Sequence, residues 1–106
     1  MKIKYTSIEV PHYNDSFSRI VLDGRVWEIR FQYNKASDCW KFGIYDTFRN
    51  PLFQDIKIVP GIPLNLSFFR PAFPKVFFVA KTKLPRIGHE DFWNGDADFY
   101  FVEQVA

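Results

Sequence analysis

One stretch constrains the fold of this chain more than any other: WEIRFQYNKASDCWKFGIYDTFRNPLFQDIKIVPGIPL, running from Trp27 to Leu64. Trp27, Ile29, Phe31 and Tyr33 alternate with Glu28, Arg30 and Gln32. That period of two puts an apolar set on one face of a strand and a polar set on the other, the pattern of an antiparallel sheet with one covered face. Asn34 to Asp38 turns the chain, and Trp40, Phe42 and Ile44 then alternate with Lys41 in a second strand. A turn at Asp46 to Asn50, closed by Pro51, leads into a third strand over Leu52 to Val59. Pro60-Gly61-Ile62-Pro63 ends the pattern as a corner, because proline has no N–H for a ladder.

The flanking segments read the same way. Lys2 to Val10 alternates and is rich in β-branched residues, so it predicts an opening strand of a kind that suits an edge. Residues 11–15 form a loop, and Phe17 to Leu22 a further strand. Asp23-Gly24 predicts a type I′ hairpin into Trp27, since both central positions of that turn need positive φ. Leu64 to Phe69 predicts a short helical turn or a bent segment, and Pro71 and Pro74 exclude a longer helix. The continuous apolar run Val76 to Val79 predicts a strand buried on both faces. Thr82 to Asp98 is the longest irregular stretch, and Phe99 to Val102 closes the sheet. Short strands at regular spacing with turn signals predict an all-β fold, a small antiparallel barrel or sandwich of about six to eight strands. At 106 residues the chain (1–106) reads as one β domain.

The composition is unusual in its rings: 13 Phe, 5 Tyr and 3 Trp. A small core needs few of them, because each buried ring removes roughly 150–250 Å² from water. Two readings follow: a thin sandwich filled with rings, or a surplus displayed on a partner surface, where aromatic residues are enriched. A net charge of +2 with signs interspersed is too small to argue for nucleic acid. Cys39, the single cysteine, can form no disulfide within the chain, which points to a reducing cytosol or a particle assembled there. MKIKYTSIEV lacks the apolar core of a signal peptide. No stretch approaches the roughly 20 apolar residues of a membrane span.

No constellation for covalent chemistry stands out. His12 and His89 are far apart, with no second ligand at metal spacing, and Cys39 beside Trp40 reads as a small buried hydrophobe. The segment His89 to Asp98 carries four acidic side chains, but not at the spacing of a calcium loop, so it reads as a solvated acidic loop. Its Phe92 and Trp93 anchor the loop on the core or on a partner. These observations predict no enzyme, no metal and no cofactor. Arg25, Arg30, Lys41 and Lys57, sharing outer faces with Tyr45 and Phe48, offer an alternative: a small β domain that binds single-stranded nucleic acid by stacking. Acidic residues at Asp23, Glu28, Asp46 and Asp55 weigh against it.

An ordered set of landmarks covers nearly the whole chain: Phe17, Leu22, Gly24 and Trp27; Tyr33-Asn34, Cys39-Trp40, Ile44 and Asp46; Pro51-Leu52, Ile56, Ile58-Val59, Gly61 and Leu64; and Phe99-Tyr100-Phe101-Val102. In this order and spacing the chain resembles the small plug domain of contractile-tail bacteriophage baseplates, a family of cyanophage type. It departs from the family at Asn65, and in the aromatic, proline-rich run Phe68 to Pro74. The resemblance implies a non-enzymatic structural part of a phage or prophage tail, assembled in the host cytoplasm and seated in the virion baseplate. It implies hub, tube and spike proteins as partners, and a homo-oligomer is compatible with it. The interface candidates are Phe68, Phe69, Phe73, Phe92 and Trp93. The first three, held by Pro71 and Pro74, either form a stiff apolar protrusion or fold back to cap an open end of the core.

Overall fold

The computed structural model describes residues 2–105. Its elements, in chain order, are β1 (Lys2–Ile8), β2 (Asp15–Leu22), β3 (Arg25–Asn34), β4 (Cys39–Tyr45), β5 (Pro51–Lys57), β6 (Leu64–Asn65), a 3₁₀ turn (Leu66–Phe68), β7 (Val76–Thr82), the single-turn helix α1 (Asp91–Asn94) and β8 (Ala97–Val105). The strands form two four-stranded antiparallel sheets, ordered β1-β8-β7-β6 and β2-β3-β4-β5. The sheets are not closed on one another, so of the two architectures left open the fold is the sandwich. The second sheet is a meander, each strand paired with the next in sequence. It is inserted between β1 and the rest of the first sheet.

Local chemistry accounts for the turns. Asp23 and Gly24 have φ of 51° and 76°, so the β2–β3 hairpin turns as its Asp-Gly pair requires, with Leu22 opposite Arg25. Asp46 accepts the backbone N–H groups of Phe48 and Asn50 on one carboxylate oxygen, at 2.9 and 2.8 Å, and this closes the β4–β5 turn. Asn65, where the chain departs from the family pattern, caps the 3₁₀ turn by accepting the N–H of Ser67 at 3.1 Å.

The core lies between the sheets and is built from rings. Trp27, Ile29 and Phe31 of β3, with Trp40, Phe42 and Ile44 of β4, face Val76, Phe78 and Ala80 of β7 and Phe99 and Phe101 of β8, all buried. Phe42 packs against Phe78 and Phe99 at 5.4 and 5.2 Å, and Phe31 meets Phe99 edge-on at 5.3 Å.

Four expectations change. β7 is buried on one face only: Phe77 is 44% exposed and Val79 half-buried, because among the described residues no second layer covers the outer side of the first sheet. β8 does not close its sheet but runs inside it between β1 and β7, and it begins at Ala97. β4 is the strand covered on both sides, since Cys39, Gly43 and Tyr45 are buried as well as its inward residues. Glu28, expected on a wet face, is 8% exposed and accepts a hydrogen bond from Arg49 Nε at 3.2 Å.

Candidate protein interface

The two outer faces of the sandwich differ in chemistry. On the β2–β5 sheet two outward-facing arginines are paired with carboxylates of the same chain. The Arg30 guanidinium donates to both carboxylate oxygens of Asp15, at 2.8 and 2.6 Å, and Arg49 pairs with Glu28. Phe17 lies among these groups, with the Arg49 guanidinium 3.8 Å from its ring centre and Tyr45 edge-on at 5.1 Å. Of the groups considered for nucleic-acid stacking, Tyr45 is buried and Arg30 is committed to Asp15, while Phe48 is exposed on the turn. A stacking platform needs free rings beside free cations, and the Arg30–Tyr45 part of this surface supplies neither.

Three carboxylates are held below their ordinary 3.8. For Asp15 the cause is hydrogen bonding from Arg30, which outweighs the opposing effect of burial. For Asp38 it is the hydroxyl of Tyr33 and then the guanidinium of Arg86, whose Nη1 lies 2.8 Å from the carboxylate. For Asp46 it is the backbone and side-chain amides of Asn50. A carboxylate depressed in the folded state stabilises it fully above its unfolded value, and that stability is lost as pH falls through the lowered folded value. Urea unfolding followed from neutral to acid pH is therefore expected to show stability falling from roughly pH 5 downwards. Asp15→Asn, Asp38→Asn and Asp46→Asn should each flatten that decline. A midpoint independent of pH across this range would contradict the assignment.

The outer face of the β1-β8-β7 sheet is different. The register lines up Tyr5, Val102 and Phe77 across three strands, with Ser7, Tyr100 and Val79 in the next row. Tyr5 and Tyr100 are in ring contact at 5.9 Å, and Ile3 continues the face along β1. With Gly61 and Pro63 from the corner after β5, this face forms a shallow groove of about 510 Å³. Asp98 and Lys81, opposite one another in the register, end it on one side. Isolated apolar side chains on a surface are ordinary, whereas a contiguous patch of aromatic and aliphatic groups marks a place of contact.

The five residues singled out in the sequence separate in space. Phe68 and Phe69 stand out from the 3₁₀ turn, 83% and 70% exposed, with their rings edge to face at 5.7 Å. Phe73 is not part of a protrusion. It takes the other course the sequence left open, folding back to 3% exposure between Trp27 and Phe53, with ring centres 5.2 and 5.3 Å away. Phe92 and Trp93 lie half-buried on α1, packed on the core. Trp93 donates its indole N–H to the Pro11 carbonyl at 2.9 Å and meets Trp40 edge-on at 5.9 Å. His12 and His89, distant in sequence, both contact the Trp93 ring, at 5.2 and 4.8 Å. His89 also reaches Asn14 at 2.6 Å.

The acidic run is partly internal scaffolding, since Asp91 accepts the N–H of Gly88 at 2.5 Å and the N–H of Gly95 reaches back to the Asp91 carbonyl. Cys39 is buried and its sulfur lies 3.0 Å from the Ser37 hydroxyl. Among the described residues no group of three or more His, Cys, Asp or Glu is placed to hold a metal, and no helix is long and apolar enough to cross a membrane.

Sequence reasoning missed the Tyr5–Phe77–Tyr100 face. The signal was present in the alternation of β8, Asp98-Phe99-Tyr100-Phe101-Val102, but rings on both sides of the strand hid it.

Fold and surface together define a class: an all-β sandwich with internal ion pairs on one outer face and an apolar groove on the other. The chain belongs to the family described as cyanophage baseplate Pam3 plug gp18, which it matches over residues 3–104. Comparison with curated proteins yields no match.

Proposed function

We propose that this chain is a structural component of a phage or prophage tail baseplate, a single plug-like β domain that packs against the central hub, tube and spike proteins. The observation that carries the reading is the family match across residues 3–104. The open apolar face supports it by supplying a surface suited to the work: Tyr5, Phe77 and Tyr100 are the kind of aromatic anchors in which interface energy concentrates. The exposed pair Phe68 and Phe69 is a second contact. The domain acts by shape and contact, without cofactor or catalysis, and is carried in the virion after assembly in the host cytoplasm.

Phe77→Glu is the test. The charge falls in the middle of the face but outside the core, so the thermal midpoint should stay close to that of the parent chain. Association with co-expressed hub, tube and spike proteins should weaken by ~2 kcal/mol or more, the loss expected for a central anchor. Normal assembly of Phe77→Glu would remove this face from the interface. Failure of the unmodified chain to associate with any of the three would overturn the plug reading itself.

A further inference from the structure

The sandwich has four sheet edges, and they are not equally protected. β6 is two residues long. β5 is twice shifted in register against β4, opens with Pro51 and carries Asp55 at φ 57°, so its edge is bulged and irregular. Short length, bulges and proline are the devices that stop a sheet edge from pairing with another chain. β1 and β2 lack all three. Seven consecutive residues of β1 pair with β8, and eight of β2 pair with β3, without a shift. Both border one open cleft of about 850 Å³ between the sheets, lined by Lys4, Thr6 and Ile8 on one side and by Ser18 and Ile20 on the other. A regular edge strand presents a row of unpaired N–H and C=O groups to whatever lies beside it.

The side chains of β1 say what that neighbour is. Ile3 and Tyr5, both exposed, continue the apolar outer face to the very edge of the sheet. On the opposite side of the same strand Lys2 and Lys4 are exposed and followed by Thr6 and Ile8. Glu103 of β8 lies across from Lys4 in the register, yet no salt bridge joins them among the described residues. A strand laid along β1 would place alternate side chains beside Ile3 and Tyr5, and the intervening ones beside Lys2 and Lys4. Opposite charges on neighbouring strands attract and like charges repel. A second copy of β1 would add two further lysines to this edge, so β1 of another copy is not the complementary occupant.

We propose that the β1 edge is a strand-addition site for an extended partner segment that alternates apolar and acidic residues. Main-chain hydrogen bonds would supply the attachment, and the two rows of side chains the selectivity. The partner would be a baseplate neighbour on the reading above, but the site can be probed without one. The experiment titrates the full chain with a short synthetic peptide alternating valine and glutamate, and with one alternating valine and lysine, while following amide hydrogen exchange residue by residue. The expected result is slowed exchange along β1 with the acidic peptide, and roughly tenfold weaker binding of the basic one. Lys2→Glu combined with Lys4→Glu should reverse the preference. Should that variant not fold, the comparison of the two peptides on the unmodified chain still decides. Equal binding of both peptides, protection at β2 instead, or no protection at all would each overturn the proposal. So would protection of β1 without peptide together with dimers in sedimentation, since the occupant would then be a second copy. Failure here leaves assembly through the Phe77 face untouched, so the two proposals fail separately.

Discussion

Phe73→Ala is expected to lower the free energy of unfolding by about 3–5 kcal/mol, while Phe68→Ala and Phe69→Ala should each change it by no more than about 0.5 kcal/mol. The three residues sit within one short phenylalanine-rich run, so composition and neighbourhood are shared and only tertiary placement differs. Phe73 fills the space between Trp27 of β3 and Phe53 of β5 at the end of the core. Removing it deletes the buried area of a ring and leaves a cavity whose walls are rings and strand backbone, which collapse poorly. Phe68 and Phe69 touch each other and are mostly surrounded by solvent, so their removal forfeits little burial. Urea titration of the three variants decides the matter. Equal effects at all three positions would show that the run moves as a unit and that Phe73 is not the cap of the core.

The second large effect is expected at Gly43→Ala, a loss of about 1–3 kcal/mol. A Cβ at this position would lie 2.7 Å from the Phe53 carbonyl oxygen and 3.2 Å from a ring carbon of Tyr45. The nearer of these is backbone, and it belongs to the bulged strand that leans across β4. Between Phe42 and Ile44 the register of β4 advances two residues while β5 advances three, from Ile56 to Phe53. The extra residue of the bulge brings β5 backbone down onto Gly43, so a methyl group can be accommodated only by prising β5 away. Chemical denaturation measures the loss. Backbone shifts in NMR spectra of the variant should be confined to β4, β5 and the Asp46 turn. An alanine variant as stable as the parent would mean that the two strands can separate at little cost.

Much of this architecture is legible in residue order. The β3–β4 pair follows from alternation alone, and the Asp23-Gly24 hairpin from the φ values that such a pair readily adopts. The Pro60–Pro63 corner and the short turn after Leu64 appear where proline forbids a ladder. The burial of Cys39 agrees with the usual place of a free cysteine as a small hydrophobe. Other features are silent because they depend on what lies opposite. Glu28 reads as a wet-face residue, and it becomes buried only because Arg49, from a turn 21 positions further along the chain, folds over it. His12, His89 and Trp93 come together through the packing of α1 and the Pro11 loop, which no local pattern encodes. The interface candidates divided on the same ground, since a phenylalanine in a loop looks identical whether the loop faces inward or outward.

The amino-acid order by itself determined that this chain makes antiparallel strands, where most of them turn, and which side of β3 faces a core. Those properties rest on side-chain period and backbone dihedral preference, and both are local. Tertiary structure alone decided that β8 runs inside its sheet, that the Val76–Val79 run has one covered face and one open face, and that Phe73 belongs to the core. Burial is a property of pairs of surfaces: an apolar side chain states only that it is better covered, and the packing of the two sheets determines which ones are.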